Sequence, residues 1–130
     1  MSCDVEFLKV VNSALSGASF DALAFTKFSG WIELSSEAQR YRISWDGWLS
    51  AQAQPAYGED VDAYMFAPVI APMLERDLEA IVHRDGVYEL TFTEGGSVFA
   101  GKWPDDQTSD SVLMVTALTA DAPFTWGLLD

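Results

Sequence analysis

The stretch whose reading decides the fold is Gly86-Val87-Tyr88-Glu89-Leu90-Thr91-Phe92-Thr93-Glu94-Gly95-Gly96-Ser97-Val98-Phe99. Tyr88, Leu90 and Phe92 alternate with Val87, Glu89 and Thr91, the period of two that sends one set of side chains into a core and the other toward water. Asp85-Gly86 precedes the run and Glu94-Gly95-Gly96 interrupts it, and glycine supplies the positive φ that tight hairpin turns require. The stretch therefore reads as antiparallel strands joined by short turns.

A similar pattern lies upstream. Phe20-Asp21-Ala22-Leu23-Ala24 aligns with Leu78-Glu79-Ala80-Ile81-Val82 at an offset of 58, and Gly30-Trp31-Ile32-Glu33-Leu34-Ser35 aligns with Gly86 to Thr91 at an offset of 56. The two-residue change falls at the intervening turn, where a length change is best tolerated. Beyond it, Tyr41 to Trp45 corresponds loosely to Ser97 to Gly101, with Tyr41, Ile43 and Trp45 alternating with Arg40, Arg42 and Ser44. Each copy is expected to be a three-stranded antiparallel meander, the pair forming a duplicated supersecondary unit. Chance similarity between two amphipathic hairpins is the competing explanation.

Two segments read as helices. From Asp4 to Leu15 the apolar residues Val5, Leu8, Val11 and Leu15 recur at spacings of three and four, with Gly17 placed to end the helix. Ala67 to Glu75 reads as one short helix before the second meander, mirroring the first, with Pro72 better suited to a first turn than to an interior. Val112 to Leu118 is a further strand, and Phe124 to Leu129 an edge strand or docked tail. The expected fold is α+β in a single domain spanning 1–130, with pseudo-repeats at about 4–50 and 66–103 and an acidic connecting loop at about 51–65. These units would form a mainly antiparallel sheet or a partly open barrel; whether the halves make one continuous sheet or two packed ones is left open.

Composition sets the class of partner. Across 130 residues, 7 Lys+Arg face 20 Asp+Glu for a net charge of −13, yet 49% of residues are hydrophobic and 13% aromatic, enough for a packed core. Such a chain repels a phosphate backbone and an anionic membrane, so direct nucleic-acid or membrane binding is not expected. The charge is also uneven. Between Arg42 and Arg76 stand Asp46, Glu59, Asp60, Asp62 and Glu75 with no base, and after Lys102 come Asp105, Asp106, Asp110, Asp121 and Asp130, again with none. The N-terminus has no basic segment followed by an apolar one, no uncharged apolar run approaches the ~18 residues of a membrane span, and the single cysteine, Cys3, has no intramolecular disulfide partner. A cytoplasmic protein is expected.

No catalytic constellation accompanies these features. His83 is the only histidine, at a strand end beside Arg84 and Asp85, and reads as solvent-facing or capping; the serines sit in no nucleophile-elbow context. One His and one Cys leave no usual transition-metal site, and neither Glu59-Asp60-Val61-Asp62 nor Asp105-Asp106 with Asp110 has the spacing that wraps a loop around calcium. No metal or cofactor is expected, and the chain is expected not to be an enzyme. The acidic loops read instead as a docking surface for a basic protein partner, through steering and charge pairing.

Aromatic residues sharpen that expectation, because Tyr and Trp anchor interfaces. Trp48 precedes the first acidic loop, Tyr57 lies within it, and Trp103 immediately precedes Pro104-Asp105-Asp106. The expected partner-binding residues are Trp48, Tyr57, Glu59, Asp60, Asp62, Trp103, Asp105, Asp106 and Asp110. Trp45 reads as core. Trp31 shares a strand face with Glu33 and Ser35, so it lies either under a helix or open to a partner.

The run from Gly86 to Phe99, preceded by a similar half and followed by Phe124-Thr125-Trp126, resembles small bacterial β-rich domains of unknown function that occur among immunity proteins of polymorphic toxin systems. The resemblance implies a cytoplasmic, non-enzymatic protein that binds and blocks a cognate toxin domain. A basic toxin surface, such as that of a nuclease, would attract a chain of this charge. Two other readings stand beside it: a nucleic-acid mimic that inhibits a DNA-binding protein, which needs carboxylates in rows at phosphate-like spacing, and a small-ligand-binding β domain whose aromatics line a pocket.

Overall fold

In the computed structural model, which describes residues 5–27, 29–37, 39–58, 61–103, 111–118 and 124–129, Asp85 and Gly86 take φ of 52° and 79°. Two successive positive φ values make a tight two-residue turn whose twist matches the flanking strands, and Arg84 pairs directly with Val87 across it. The strands it joins are β5 (Leu78–Arg84) and β6 (Val87–Phe92), and β7 (Gly96–Gly101) follows after Glu94 and Gly95, again at positive φ. Upstream, β1 (Ser19–Phe25), β2 (Gly30–Ser35) and β3 (Arg40–Trp45) form the other meander.

The strands build two antiparallel sheets, not one. A five-stranded sheet has the order β1-β2-β3-β8-β9, with β8 at Ser111–Ala117 and β9 at Phe124–Leu129. A four-stranded sheet has the order β4-β7-β6-β5, where β4 is the short strand Trp48–Ser50. Among the described residues no ladder joins β4 to β9, so the two sheets do not close into a barrel. The strand β4 was not expected: three residues leave no periodicity to read, and its place is fixed by pairing with β7.

The register also differs from the sequence alignment. Phe20 faces Leu34 and Leu78 faces Phe92, so the offset between the meanders stays at 58 through both strands of the hairpin. The second hairpin has no shorter chain at its turn; it zips one pair further. Tyr41 faces Leu34 while Gly96 faces Phe92, which moves the length change to the second turn. In the second strand the slip is two residues and preserves the face of each side chain; in the third, Tyr41 to Trp45 match Gly96 to Ala100 instead of Ser97 to Gly101, a slip of one. The inward sets Ile32, Leu34, Tyr41, Ile43 and Trp45, and Tyr88, Leu90 and Phe92, are all buried. Phe20 and Phe92 meet between the sheets with ring centroids 5.9 Å apart.

The first helix, α1 (Val5–Leu15), covers the expected span apart from Asp4, which lies outside the described residues, and ends before Gly17, whose φ of 85° suits a residue without Cβ. It buries Val11 and Leu15 and reaches both β5 and β9, each fully buried side chain contributing roughly 1.5–3 kcal/mol. The second helical segment is broken where one helix was expected. A 3-10 turn at Ala63–Phe66 leads into α2 (Ala67–Ile70) and a second 3-10 turn at Ala71–Met73. Pro72 has no N–H to donate and its ring would strike the carbonyl four residues back, so the α-helix cannot run through it. No helix among the described residues is long and apolar enough to cross a membrane.

Asn12 on α1 ties the helix to the sheet. Its Nδ2 donates to the Ile81 carbonyl at 2.8 Å, and its Oδ1 accepts from the Ile81 N–H at 2.7 Å. One amide thus takes the place of a neighbouring strand on the outer edge of β5, where open backbone groups invite pairing with another chain. Asn12→Ala should lower the stability by about 1–3 kcal/mol, because it leaves both Ile81 groups without partners. The midpoint of a urea titration measures the loss.

Candidate functional site

At the end of β3 the chain passes from the five-stranded sheet to the four-stranded one in two residues, Asp46 and Gly47. The Asp46 N–H donates to the Val112 carbonyl at 3.2 Å, anchoring the corner to β8. Gly47 lies so close to β7 that an added Cβ would sit 2.0 Å from the Gly101 carbonyl oxygen. No other residue type fits there. The Trp48 indole then packs across Gly101 and donates from Nε1 to the Lys102 carbonyl at 3.1 Å, which fixes the chain leading to Trp103.

Two further segments reach this corner. Thr26 and Ser29 close the β1–β2 turn, with the Thr26 N–H donating to the Ser29 carbonyl at 2.8 Å. The Ala63 N–H donates to the Lys27 carbonyl at 2.8 Å, pinning the end of the acidic connection to that turn. Together these segments enclose a groove of about 330 Å³. Trp45, Trp103, Phe66 and Val61 supply its apolar wall; Asp46 and Asp62 bring carboxylates and Lys27 an ammonium. Trp45 is otherwise buried, edge-on to Phe25 at 5.7 Å, so its position is held by the core and only part of the ring faces the groove.

The expected partner-binding residues fare differently. Asp62 and Trp103 line the same groove although they come from segments far apart in sequence. Trp48 is only 4% exposed: it is a core residue that positions the groove wall and presents no surface to a partner. Tyr57 is exposed on the connecting loop and is not among the groove residues. Glu59, Asp60, Asp105, Asp106 and Asp110 lie outside the described residues. Trp45 and Asp46 were not among the expected site residues. Asp46-Gly47 does carry a signal, since an Asp-Gly pair between two aromatics marks a turn, but nothing in the sequence says that the turn faces residue 62.

His83 is half-buried and stacks against Tyr88 at 4.7 Å between centroids, in contrast to the solvent-facing or capping role expected of it. It pairs with Tyr88 across the hairpin, on the same face, and the Tyr ring covers it. Among the described residues, no group of three or more His, Cys, Asp and Glu side chains is placed to hold a metal ion.

Trp31 lies on the outer face of the five-stranded sheet. Arg42 lies over its ring, 4.9 Å from the centroid, and both belong to a charged ladder. Arg40 and Arg42 donate from Nη2 to the two oxygens of Glu33 at 2.9 and 3.0 Å, and Asp21 accepts from Arg40 and from Ser35 Oγ. The hydrogen bond from Arg40, aided by Arg42 and opposed by partial burial, holds the Glu33 carboxyl below the usual carboxylate range. Contact with Glu33 and the field of Asp21 raise the Arg40 guanidinium in turn.

Gly47→Ala should destabilise the fold by about 2 kcal/mol or more, since backbone and not a flexible side chain would have to yield; thermal unfolding with tryptophan fluorescence reads it. Glu33 has a lower pKa folded than unfolded, so its stabilisation is complete above the unfolded value and is lost as pH falls through the folded one. Glu33→Gln should therefore cost up to about 1 kcal/mol at neutral pH, and the cost should shrink as pH falls below the ordinary carboxylate range, as checked by urea titrations across that range. No family model, curated protein or solved structure matches this chain.

Proposed function

We propose that this chain is a non-enzymatic, cytoplasmic binding protein of the immunity type, which docks on and occludes the basic surface of a toxin domain that acts on nucleic acid. The observation that carries the reading is the convergence of Asp46, Asp62 and Trp103 in one groove on a chain of net charge −13. Carboxylates beside rigid aromatic anchors suit a basic protein surface: the field speeds encounter, and the partly desolvated groove supplies the close contacts. The two arginines on the outer face of the five-stranded sheet do not offset this field, because the carboxylates of Glu33 and Asp21, which they pair with, match their two charges. The two meanders are copies of one unit in this reading, supported by the bulge that interrupts each at the same place, between Phe20 and Ala22 and between Leu78 and Ala80.

Affinity capture from the native host should recover a toxin domain with a basic binding face, released as salt rises. Charge reversal of Glu59, Asp60 and Asp62 should weaken that complex by about tenfold or more and flatten its salt dependence while leaving the unfolding midpoint unchanged. A partner with an acidic face, or an affinity untouched by the reversal, overturns the proposal.

A further inference from the structure

We infer that the groove at the sheet crossover is a receptor for one arginine side chain presented by the protein partner. The inference rests on the binding role proposed above and names the chemical group recognised. The walls come first: Trp45 and Trp103, with Phe66 and Val61, give a cavity of about 330 Å³ an aromatic lining at the boundary between core and water. Charge comes second. Among the described lining residues, Asp46 and Asp62 contribute two negative charges and Lys27 one positive, a net −1 that complements a single monocation.

Shape and hydration then select among cations. A guanidinium is planar, is weakly hydrated, and presents a fork of donors that can meet carboxylates in its plane while its faces lie on an indole. A lysine ammonium is compact and strongly hydrated, and it gains less from an aromatic wall whose entry strips its water. The groove is also pre-built. The Ala63 to Lys27 and Asp46 to Val112 backbone hydrogen bonds and the Trp48 to Lys102 bond fix its sides before any partner arrives, which lowers the entropy lost on binding.

The test uses the full chain and two probes, N-acetyl-arginine amide and N-acetyl-lysine amide, which carry the side chain on a peptide-like backbone. Each is titrated while the indole N–H resonances of Trp45 and Trp103, assigned by substitution, are followed. The arginine amide should saturate these shifts at a concentration at least about fivefold lower than the lysine amide. Asp62→Asn, at a half-buried residue outside the core, and Trp103→Phe should each weaken it by about fivefold or more, and Trp31→Ala, on the outer face of the five-stranded sheet, should leave it unchanged. Equal responses to the two amides, no saturable response, or an affinity indifferent to Asp62→Asn overturns the inference. A chain that captures a basic partner but fails this titration loses only the arginine assignment; one that takes up the arginine amide but captures no basic partner keeps the receptor site and loses the inhibitor role.

Discussion

Four backbone hydrogen bonds between residues 17–20 and 75–78 join the two sheets edge to edge. Gly17 and Phe20 donate to Leu78 and Arg76, and Leu78 and Glu75 donate back to Ala18 and Phe20. Ser19 Oγ adds a bond to Asp77. Buried strand edges must place every N–H and C=O somewhere, and here the start of β1 satisfies the start of β5. Directly beyond this seam each strand carries its bulge, at Asp21 and at Glu79, and turns away from the other. Glu75 accepts a φ of 74°, costly for a residue with a side chain, because its N–H is held by the Phe20 carbonyl.

The seam places everything else. With one pair of edges joined, the inner faces close on each other around Phe20 and Phe92, and α1 lies against β5 and β9. At the β3–β4 corner the chain crosses between sheets through Asp46 and Gly47, and Trp103 and Trp45 both line the groove formed there. The groove is thus a by-product of a packing constraint. Its aromatic wall is the margin of the core, and its carboxylates sit where a corner and a loop end must face water.

Much of this was legible because strands write their faces into the sequence. Tyr88, Leu90 and Phe92, and Ile32, Leu34, Tyr41, Ile43 and Trp45, could be assigned inward from period two alone, and the register error between the copies left those assignments intact. Ala67 to Glu75 reads as one helix because its composition suits a helix, yet Pro72 breaks it into α and 3-10 turns, since a proline inside the run removes a donor. Trp48 reads as an interface anchor because it stands ahead of the acidic connection in sequence, whereas its neighbours in space are Gly101 and the backbone of Lys102.

By itself, the sequence determined that the chain is an acidic α+β protein with two antiparallel meanders, a leading helix and two stretches free of bases. Those properties follow from local periodicity, turn chemistry and charge, each written within a few residues. Only the tertiary structure decided that the meanders form two sheets joined at one seam, that Arg40 and Arg42 converge on Glu33, and that Asp46, Asp62 and Trp103 share a groove. The reason is physical: these are pairings between segments tens of residues apart, selected by which backbone edges and side-chain volumes fit together, and no single segment encodes its partner.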